Sequence, residues 1–222
     1  MLSRHEEKYI LTYAQYALLR GRANMSLLPD THGTNGTYTI TSLYYDDPQD
    51  TGLYEKLDGL ALHSKFRVRT YDHNDGFIKL ERKDKQGIMT QKISAAIAPA
   101  QLELLTEPGA WEQFSDTARE LTQQIQAKAL RPVVAIRYTR DAFYHPGSDF
   151  RLTFDQNIEV IPPDVKALTD GSVQGLPALT PGSVVMEIKY GSHIPAFARK
   201  LTHIQAPQLS LSKYALCREQ LG

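Results

Sequence analysis

Three runs in this chain place a charge at every second position. Arg4, Glu6 and Lys8 form the first, Lys65, Arg67 and Arg69 the second, and Lys79, Glu81 and Lys83 the third. Side chains two apart share one face of a strand. Each run therefore charges one face, and the other falls to Phe66, Val68 and Thr70 in the second run and to Ile78 and Leu80 in the third. Lys92, Arg140, Arg151 and Lys189 extend the pattern, with Asp155 and Glu187 among them. Facing water, such faces are the wet side of an ordinary antiparallel sheet. Turned inward, they need either interleaved carboxylates or a bound polyanion, because two like charges ~8 Å apart at an effective dielectric of ~20 repel by roughly 2 kcal/mol; Glu6, Glu81, Asp155 and Glu187 supply some carboxylate, but the cations outnumber them. Rows of Arg and Lys suit phosphate oxygens. Carboxylates among phosphates suit a divalent cation, which takes oxygen ligands from both. The chemistry described is a chain of phosphates held with Mg²⁺ or Mn²⁺.

Composition narrows the alternatives. The chain has 222 residues, with 25 Lys plus Arg against 25 Asp plus Glu. That balance argues against a general nucleic-acid binder, which carries a basic excess, but it leaves room for a local basic site. Cys217 is the only cysteine, so there is no disulfide framework and no thiolate zinc site. The N-terminal residues are charged where a signal peptide needs an apolar run. No window approaches the ~20 apolar residues of a membrane span. A cytoplasmic protein with one domain over residues 1–222 is expected.

The elements that must position these charges follow from alternation and punctuation. Residues 4–11 read as a strand and residues 12–24 as a helix capped by Thr12, with Ala14, Ala17, Leu18 and Leu19 as its apolar side. Residues 37–46 read as a strand with Tyr38, Ile40, Ser42 and Tyr44 on one face. A short helix or turn is expected within 48–59. The charged runs at 65–71 and 78–83 form a hairpin about His73-Asn74-Asp75-Gly76, and a strand over 88–96 carries Lys92. Helices are expected over 99–107 and 110–129, with Leu102, Leu105, Trp111, Phe114, Ala118 and Leu121 as one buried stripe. Strands over 132–144, 150–159 and 183–190 follow, then helices over 196–203 and 213–221. The apolar helical stripes must cover the apolar strand faces, which directs the charged faces inward. The Arg67/Arg69 and Glu81/Lys83 pattern returns weakly as Arg151/Asp155 and Glu187/Lys189. The expected class is α+β: a closed antiparallel β-barrel of about eight strands with helices packed outside.

Other motifs carry less. Gly33-Thr34-Asn35-Gly36 lacks the Lys-Ser/Thr of a phosphate loop. The His residues show no metal spacing, and Cys217 reads as packing. Tyr9, Tyr44, Tyr45 and Tyr71 read as wall aromatics; Tyr138 is singled out as a ligand contact.

Taken in order, the motifs resemble a known family. They are Arg4-x-Glu6-x-Lys8-Tyr9, Ser42-Leu43-Tyr44-Tyr45-Asp46, Lys65-x-Arg67-x-Arg69-x-Tyr71, Leu80-Glu81-x-Lys83, Arg137-Tyr138-x-Arg140, Arg151-Leu152-Thr153-Phe154-Asp155, Met186-Glu187-Ile188-Lys189 and Ser212-Lys213-Tyr214. The set is similar to the VTC (vacuolar transporter chaperone) polyphosphate polymerase domain of the triphosphate tunnel metalloenzyme (CYTH-like) superfamily. The resemblance implies transfer of the γ-phosphate of ATP to a growing polyphosphate chain with Mn²⁺ or Mg²⁺. It implies that Lys8, Arg67, Arg69, Arg140 and Arg151 act on the transferred phosphate. Lys83, Lys92, Tyr138, Lys189, Ser212 and Lys213 would bind the rest of the phosphate chain. The implied metal ligands are Glu187 first, then Glu81 and Glu6. The family places a lysine three residues before the one at Lys213; here that position is Ser210. Two other outcomes stay open at this point: a triphosphatase or nucleoside triphosphatase in which water accepts the phosphate, and a non-catalytic polyphosphate-binding module. ATP and polyphosphate or triphosphate are the expected partners, without nucleic acid, and the resemblance adds a separate membrane protein.

Overall fold

A computed structural model describes residues 5–87 and 89–221. Arg4 and Ile88, both assigned above to strands, lie outside the described residues. The chain opens with β1 (His5–Leu11), α1 (Tyr13–Ser26), β2 (Leu28–Pro29), β3 (Thr37–Asp46) and α2 (Thr51–Leu57). A meander of β4 (Leu62–Tyr71), β5 (Ile78–Gln86) and β6 (Met89–Ile97) comes next, then α3 (Asp116–Ala127). The second part contains β7 (Arg131–Tyr144), β8 (Arg151–Ile161), β9 (Leu176–Pro177), β10 (Val184–Tyr190), α4 (Ala196–Leu201) and α5 (Lys213–Glu219).

The eight long strands pair in the order β1-β10-β8-β7-β3-β4-β5-β6, with β2 on β7 and β9 on β8. The mixed α+β class, the strand number and the antiparallel pairings agree with expectation. Closure is not among the pairings: for the described residues the order begins at β1 and ends at β6, without a β1–β6 pair. Alternation alone fixes which way a strand faces, not whether its outermost partners join.

The chain forms two compact units. The first comprises residues up to 39, 138–158 and 177–212; the second comprises 40–137, 159–176 and the residues from 213 onward. Each has its own core. In the first, Leu152, Phe154, Met186 and Ile188 pack with Tyr16, Leu19 and Ala23 of α1 and with Ala198 and Leu201 of α4. In the second, Leu43, Phe66, Val68, Ile78 and Leu80 pack with Ala118, Leu121 and Ile125 of α3. In the first unit α1 and α4, and in the second α3, lie on the apolar strand face, while Tyr214 of α5 stacks on Tyr44 of the other face. The charged side chains therefore hold the opposite face, as the alternation requires.

Local departures have local causes. The Thr12 side chain accepts from Gln15 N at 3.3 Å while the Gln15 side chain accepts from Thr12 N at 2.8 Å, a reciprocal cap that starts α1. The buried stripe of α1 is Tyr16, Leu19 and Ala23, not Ala14, Ala17 and Leu18, which are exposed. The reason is polar: the Tyr16 hydroxyl donates to buried Asp141 at 2.6 Å, as does Thr37 Oγ1 at 2.6 Å, and this sets the helix rotation. Residues 99–113 form three short 3₁₀ turns, Pro99–Gln101, Glu103–Thr106 and Ala110–Gln113, instead of helix. Gly109 takes φ +81° and Phe114 is extended, which breaks α-helical continuity. Gln101 bridges the turns, its side chain accepting from Ala98 N and donating to Gln113 O. Leu102, Leu105, Phe114, Ala118 and Leu121 still enter the core; Trp111 stays half-buried outside it. Among the described residues no helix is long and apolar enough to cross a membrane.

This packing separates two aromatics of the same expected stripe. Phe114→Ala, at a side chain 2 % exposed, should lower unfolding free energy by about 3–5 kcal/mol in denaturant titration. Trp111→Ala should cost less than half as much. Equal losses would return Trp111 to the core.

Candidate functional site

In the first unit the charged face is built on β1, β10 and β8. Register sets Glu6 opposite Lys189 and Lys8 opposite Glu187. It also sets Glu187 opposite Thr153 and Lys189 opposite Arg151. Opposite charges thus alternate across the β1–β10 pair. Lys8 Nζ lies 2.8 Å from Glu6 Oε1 and 4.0 Å from Glu187 Oε1, and donates to Leu211 O at 3.0 Å. Lys189 Nζ lies 3.1 Å from Glu187 Oε2 and 3.9 Å from Glu6 Oε2. Both carboxylates therefore gather around the same two ammonium groups.

Arg140 joins this cluster from β7. Its Nε and Nη2 donate to the two oxygens of Asp155 at 2.7 and 2.8 Å, and Nη2 lies 3.7 Å from Glu187 Oε2. A two-pronged pair fixes the plane of the guanidinium, not only its charge. Burial works against that charge, but Asp155, Tyr138 and Glu187 hold the Arg140 pKa well above its ordinary value. The Tyr138 ring, itself buried, lies 5.4 Å from the guanidinium carbon. Arg151 is exposed at the start of β8, across from Lys189. Ser212 is half-buried where the unit's last segment ends.

In the second unit the face is built on β3 to β6. Arg67 donates through Nε to Glu81 Oε2 at 2.8 Å, with Nη2 2.7 Å from the same oxygen. Lys92 Nζ reaches the other oxygen, Oε1, at 3.1 Å. Glu81 is 1 % exposed. Burial would raise its pKa, but Arg67, Arg69 and Lys92 hold it at about 2. Arg69 Nε donates to Ser42 Oγ at 2.9 Å, and Arg67 Nη1 donates to the Tyr44 hydroxyl at 3.2 Å. Lys213, the first residue of α5, adds its charge near Tyr44.

Like charges also stand directly opposite one another. Lys65 pairs with Lys83, and Lys83 with Lys92, a row of three ammonium side chains across three strands. Arg69 faces Lys79 in the adjoining row. Directly opposed like charges destabilise a sheet, and Glu81 offsets part of this charge through Lys92 and Arg67.

The sequence-predicted residues thus form two clusters. Lys8, Glu6, Glu187, Lys189 and Arg140 meet in the first unit; Arg67, Arg69, Glu81 and Lys92 meet in the second, with Lys83 in the lysine row. Sequence reasoning passed over Ser42 and Tyr44, the acceptors for Arg69 and Arg67. Their signal was register: they occupy one face of β3, opposite those two arginines. A Tyr-Ile-Ser-Tyr alternation carries no charge and so drew no attention.

As to metal, among the described residues no three His, Cys, Asp or Glu side chains gather as a cation cage. Both Glu81 oxygens are engaged by cations. Glu187 and Glu6, clustered around Lys8 and Lys189, are oxygen donors of the kind a hard divalent ion takes when phosphate oxygens complete its shell.

Comparison with known proteins places this arrangement. The VTC domain matches residues 3–221. A search of curated proteins gave no match. Among solved structures, the PH1819 protein from Pyrococcus horikoshii OT3 superposes with a TM-score of 0.51 at 12% identity, over 98% of this chain and 97% of that one. A conserved hypothetical protein from Pyrococcus furiosus gives 0.45 at 12% identity, over 90% and 86%. At 12% identity the PH1819 superposition is a likeness of fold alone.

The electrostatics of Glu81 have a measurable consequence. A folded-state pKa of about 2 against an ordinary 4.5 means that Glu81 favours the folded state above pH 4.5 and loses that contribution as pH falls toward 2. The full effect is on the order of 3 kcal/mol. Glu81→Gln should therefore flatten the fall in stability between pH 4.5 and 2, measured by urea unfolding across that range. An unchanged slope would show that Arg67 and Lys92 do not hold the carboxylate ionised.

Proposed function

The chain belongs to the VTC domain family, and from that footing we propose that it is a metal-dependent polyphosphate polymerase. Its substrate would be ATP, and its acceptor the end of a growing polyphosphate chain. The observation that carries the reading is the cation pattern on one strand face: the Lys65, Lys83 and Lys92 row, with Arg69 opposite Lys79. A repeating cationic surface fits a repeating anion. It suits a neutral ligand poorly, because ammonium side chains set opposite one another across the strands repel.

The chemistry needs no covalent enzyme intermediate. An oxygen of the acceptor's terminal phosphate attacks the γ-phosphorus of ATP. One phosphorus–oxygen bond forms, the bond from the γ-phosphorus to the bridging oxygen breaks, and ADP leaves. Positioning and charge stabilisation supply most of the acceleration in such transfers. In this chain Arg140 is the most rigid donor group, its plane set by Asp155. Arg67 is held by Glu81 and Tyr44, and Arg69 by Ser42, so their remaining N–H groups have fixed directions. Lys8 and Lys189 bring ammonium charge held between Glu6 and Glu187, and Arg151 is exposed to an incoming phosphate. Lys83, Lys92, Tyr138, Ser212 and Lys213 complete the phosphate contacts in this reading.

A divalent ion, Mn²⁺ or Mg²⁺, would be held by Glu187 and Glu6 and would polarise phosphate oxygens. With Glu187 and Glu6 so engaged, Lys8 and Lys189 would be left to bind phosphate. Glu81, with both oxygens taken, instead aims Arg67. Ser210, where the family places a lysine, removes one cation beside Ser212 and Lys213 and bears on chain length.

Incubation of the pure protein with ATP and Mn²⁺, followed by gel separation of the products, tests the proposal. Long phosphate chains are expected. Free phosphate alone would make the protein a hydrolase, and polyphosphate binding without turnover would make it a binding module. Arg67→Ala and Arg151→Ala should each lower turnover by at least 100-fold; the melting temperature should hold for Arg151→Ala, at an exposed residue, and fall for Arg67→Ala, which takes a cation from buried Glu81. Wild-type activity in a folded variant would remove that residue from the mechanism.

A further inference from the structure

Tyr44 was read from the sequence as a wall aromatic, yet its hydroxyl sits among cations and has a proton to give. We propose that the Tyr44 hydroxyl is a direct hydrogen-bond donor to a phosphate oxygen of the substrate. This rests on the polyphosphate reading above and adds a neutral contact that the charged motifs do not mark.

The geometry supports the assignment in three steps. First, the hydroxyl accepts from Arg67 Nη1 at 3.2 Å. A phenol that accepts on its lone pair still carries its own O–H, and among the described residues that O–H has no protein acceptor. The residue is 8 % exposed. A donor so enclosed calls for an acceptor that the protein does not supply.

Second, the ring cannot swing away to find one in solvent. It lies against the Tyr214 ring, with centroids 5.2 Å apart. The Tyr214 hydroxyl in turn donates to Asp46, whose carboxylate also accepts from the backbone of Gly52 and Leu53. Tyr44 is thus braced through Tyr214 to the first turn of α2.

Third, the surroundings select the acceptor. Arg67, Arg69 and Lys213 lie near enough to act on Tyr44; against the opposing effect of burial they draw its pKa below the usual phenol range. The Lys65 ammonium stands over the Tyr214 ring at 5.2 Å. An acceptor entering this neighbourhood is an anion, and an O–H polarised by an arginine on its oxygen is a strengthened donor.

Calorimetric titration with inorganic tripolyphosphate, without nucleotide or divalent metal, reads this contact apart from turnover. Tyr44→Phe keeps the ring and its stacking and removes only the hydroxyl. Its Kd should rise about tenfold, the value of one hydrogen bond to a charged group, with the melting temperature unchanged. The same comparison in an Arg67→Lys background separates direct contact from support of Arg67. A retained factor of about ten supports donation to phosphate; an effect that vanishes there overturns it, because Tyr44 would then act only through the guanidinium. Equal Kd values in the first comparison overturn it as well. Carbon NMR of the tyrosine Cζ in unsubstituted protein gives a reading that needs no variant. A shift of the Tyr44 signal on saturation is expected, and a stationary signal counts against the contact. Absence of tripolyphosphate binding by the wild type would sink both this assignment and the polymerase reading. Tight binding weakened by Tyr44→Phe, without polyphosphate synthesis from ATP, would remove only the polymerase reading.

Discussion

Each unit depends on one constraint: a strand has two faces, and the apolar one must be buried under helices. In the second unit Phe66, Val68, Ile78 and Leu80 lie against α3. In the first, Phe154, Met186 and Ile188 lie against α1 and α4. Period-two alternation then leaves Lys65, Arg67, Arg69, Lys79, Glu81 and Lys83, or Lys8, Glu187 and Lys189, on the other side. A shift of one residue in register would bury a lysine row under a helix and expose the core. Chemistry and fold are therefore specified by the same alternation. The cations are held in register because the apolar residues between them are.

The two clusters reach charge balance differently. In the first unit, strand register alternates sign, Glu6 with Lys189 and Lys8 with Glu187, so much of the charge is compensated within the protein. In the second, register opposes lysine to lysine and arginine to lysine, with Glu81 as a buried carboxylate among them. The first arrangement matches the proposed metal position, where Glu6 and Glu187 would exchange an ammonium partner for a cation. The second suits a surface that grips an extended anion.

Much of this was legible in the sequence, and the exceptions are instructive. The strand limits around Thr37–Asp46 and the charged hairpin followed from alternation, and so did the side that carries the cations. Where the reading failed, the deciding contact was remote in sequence. The rotation of α1 depends on Tyr16 reaching Asp141, 125 residues away. The interrupted helices between 99 and 113 depend on a bridge from Gln101 to Gln113 O that no periodicity displays. Closure of the sheet concerns its outermost strands, about which local pattern is silent. Tyr44 and Ser42 matter because of which residues register places opposite them, not because of their own type.

The segment that precedes α5 has a consequence for the protein in solution. Leu209 N donates to Lys8 O at 2.9 Å, Gln208 bridges to Tyr9, and Lys8 Nζ reaches Leu211 O. The outermost strand β1 thus has part of its backbone capped by the chain's own later residues, and the lysine nearest that cap is one of the proposed phosphate contacts. An edge strand with open amides invites strand addition by another molecule. Here the segment that discourages such pairing also fixes a cation of the site, so loosening it would loosen Lys8 and uncover a template for self-association together. Solubility and ligand grip are linked through one stretch of backbone.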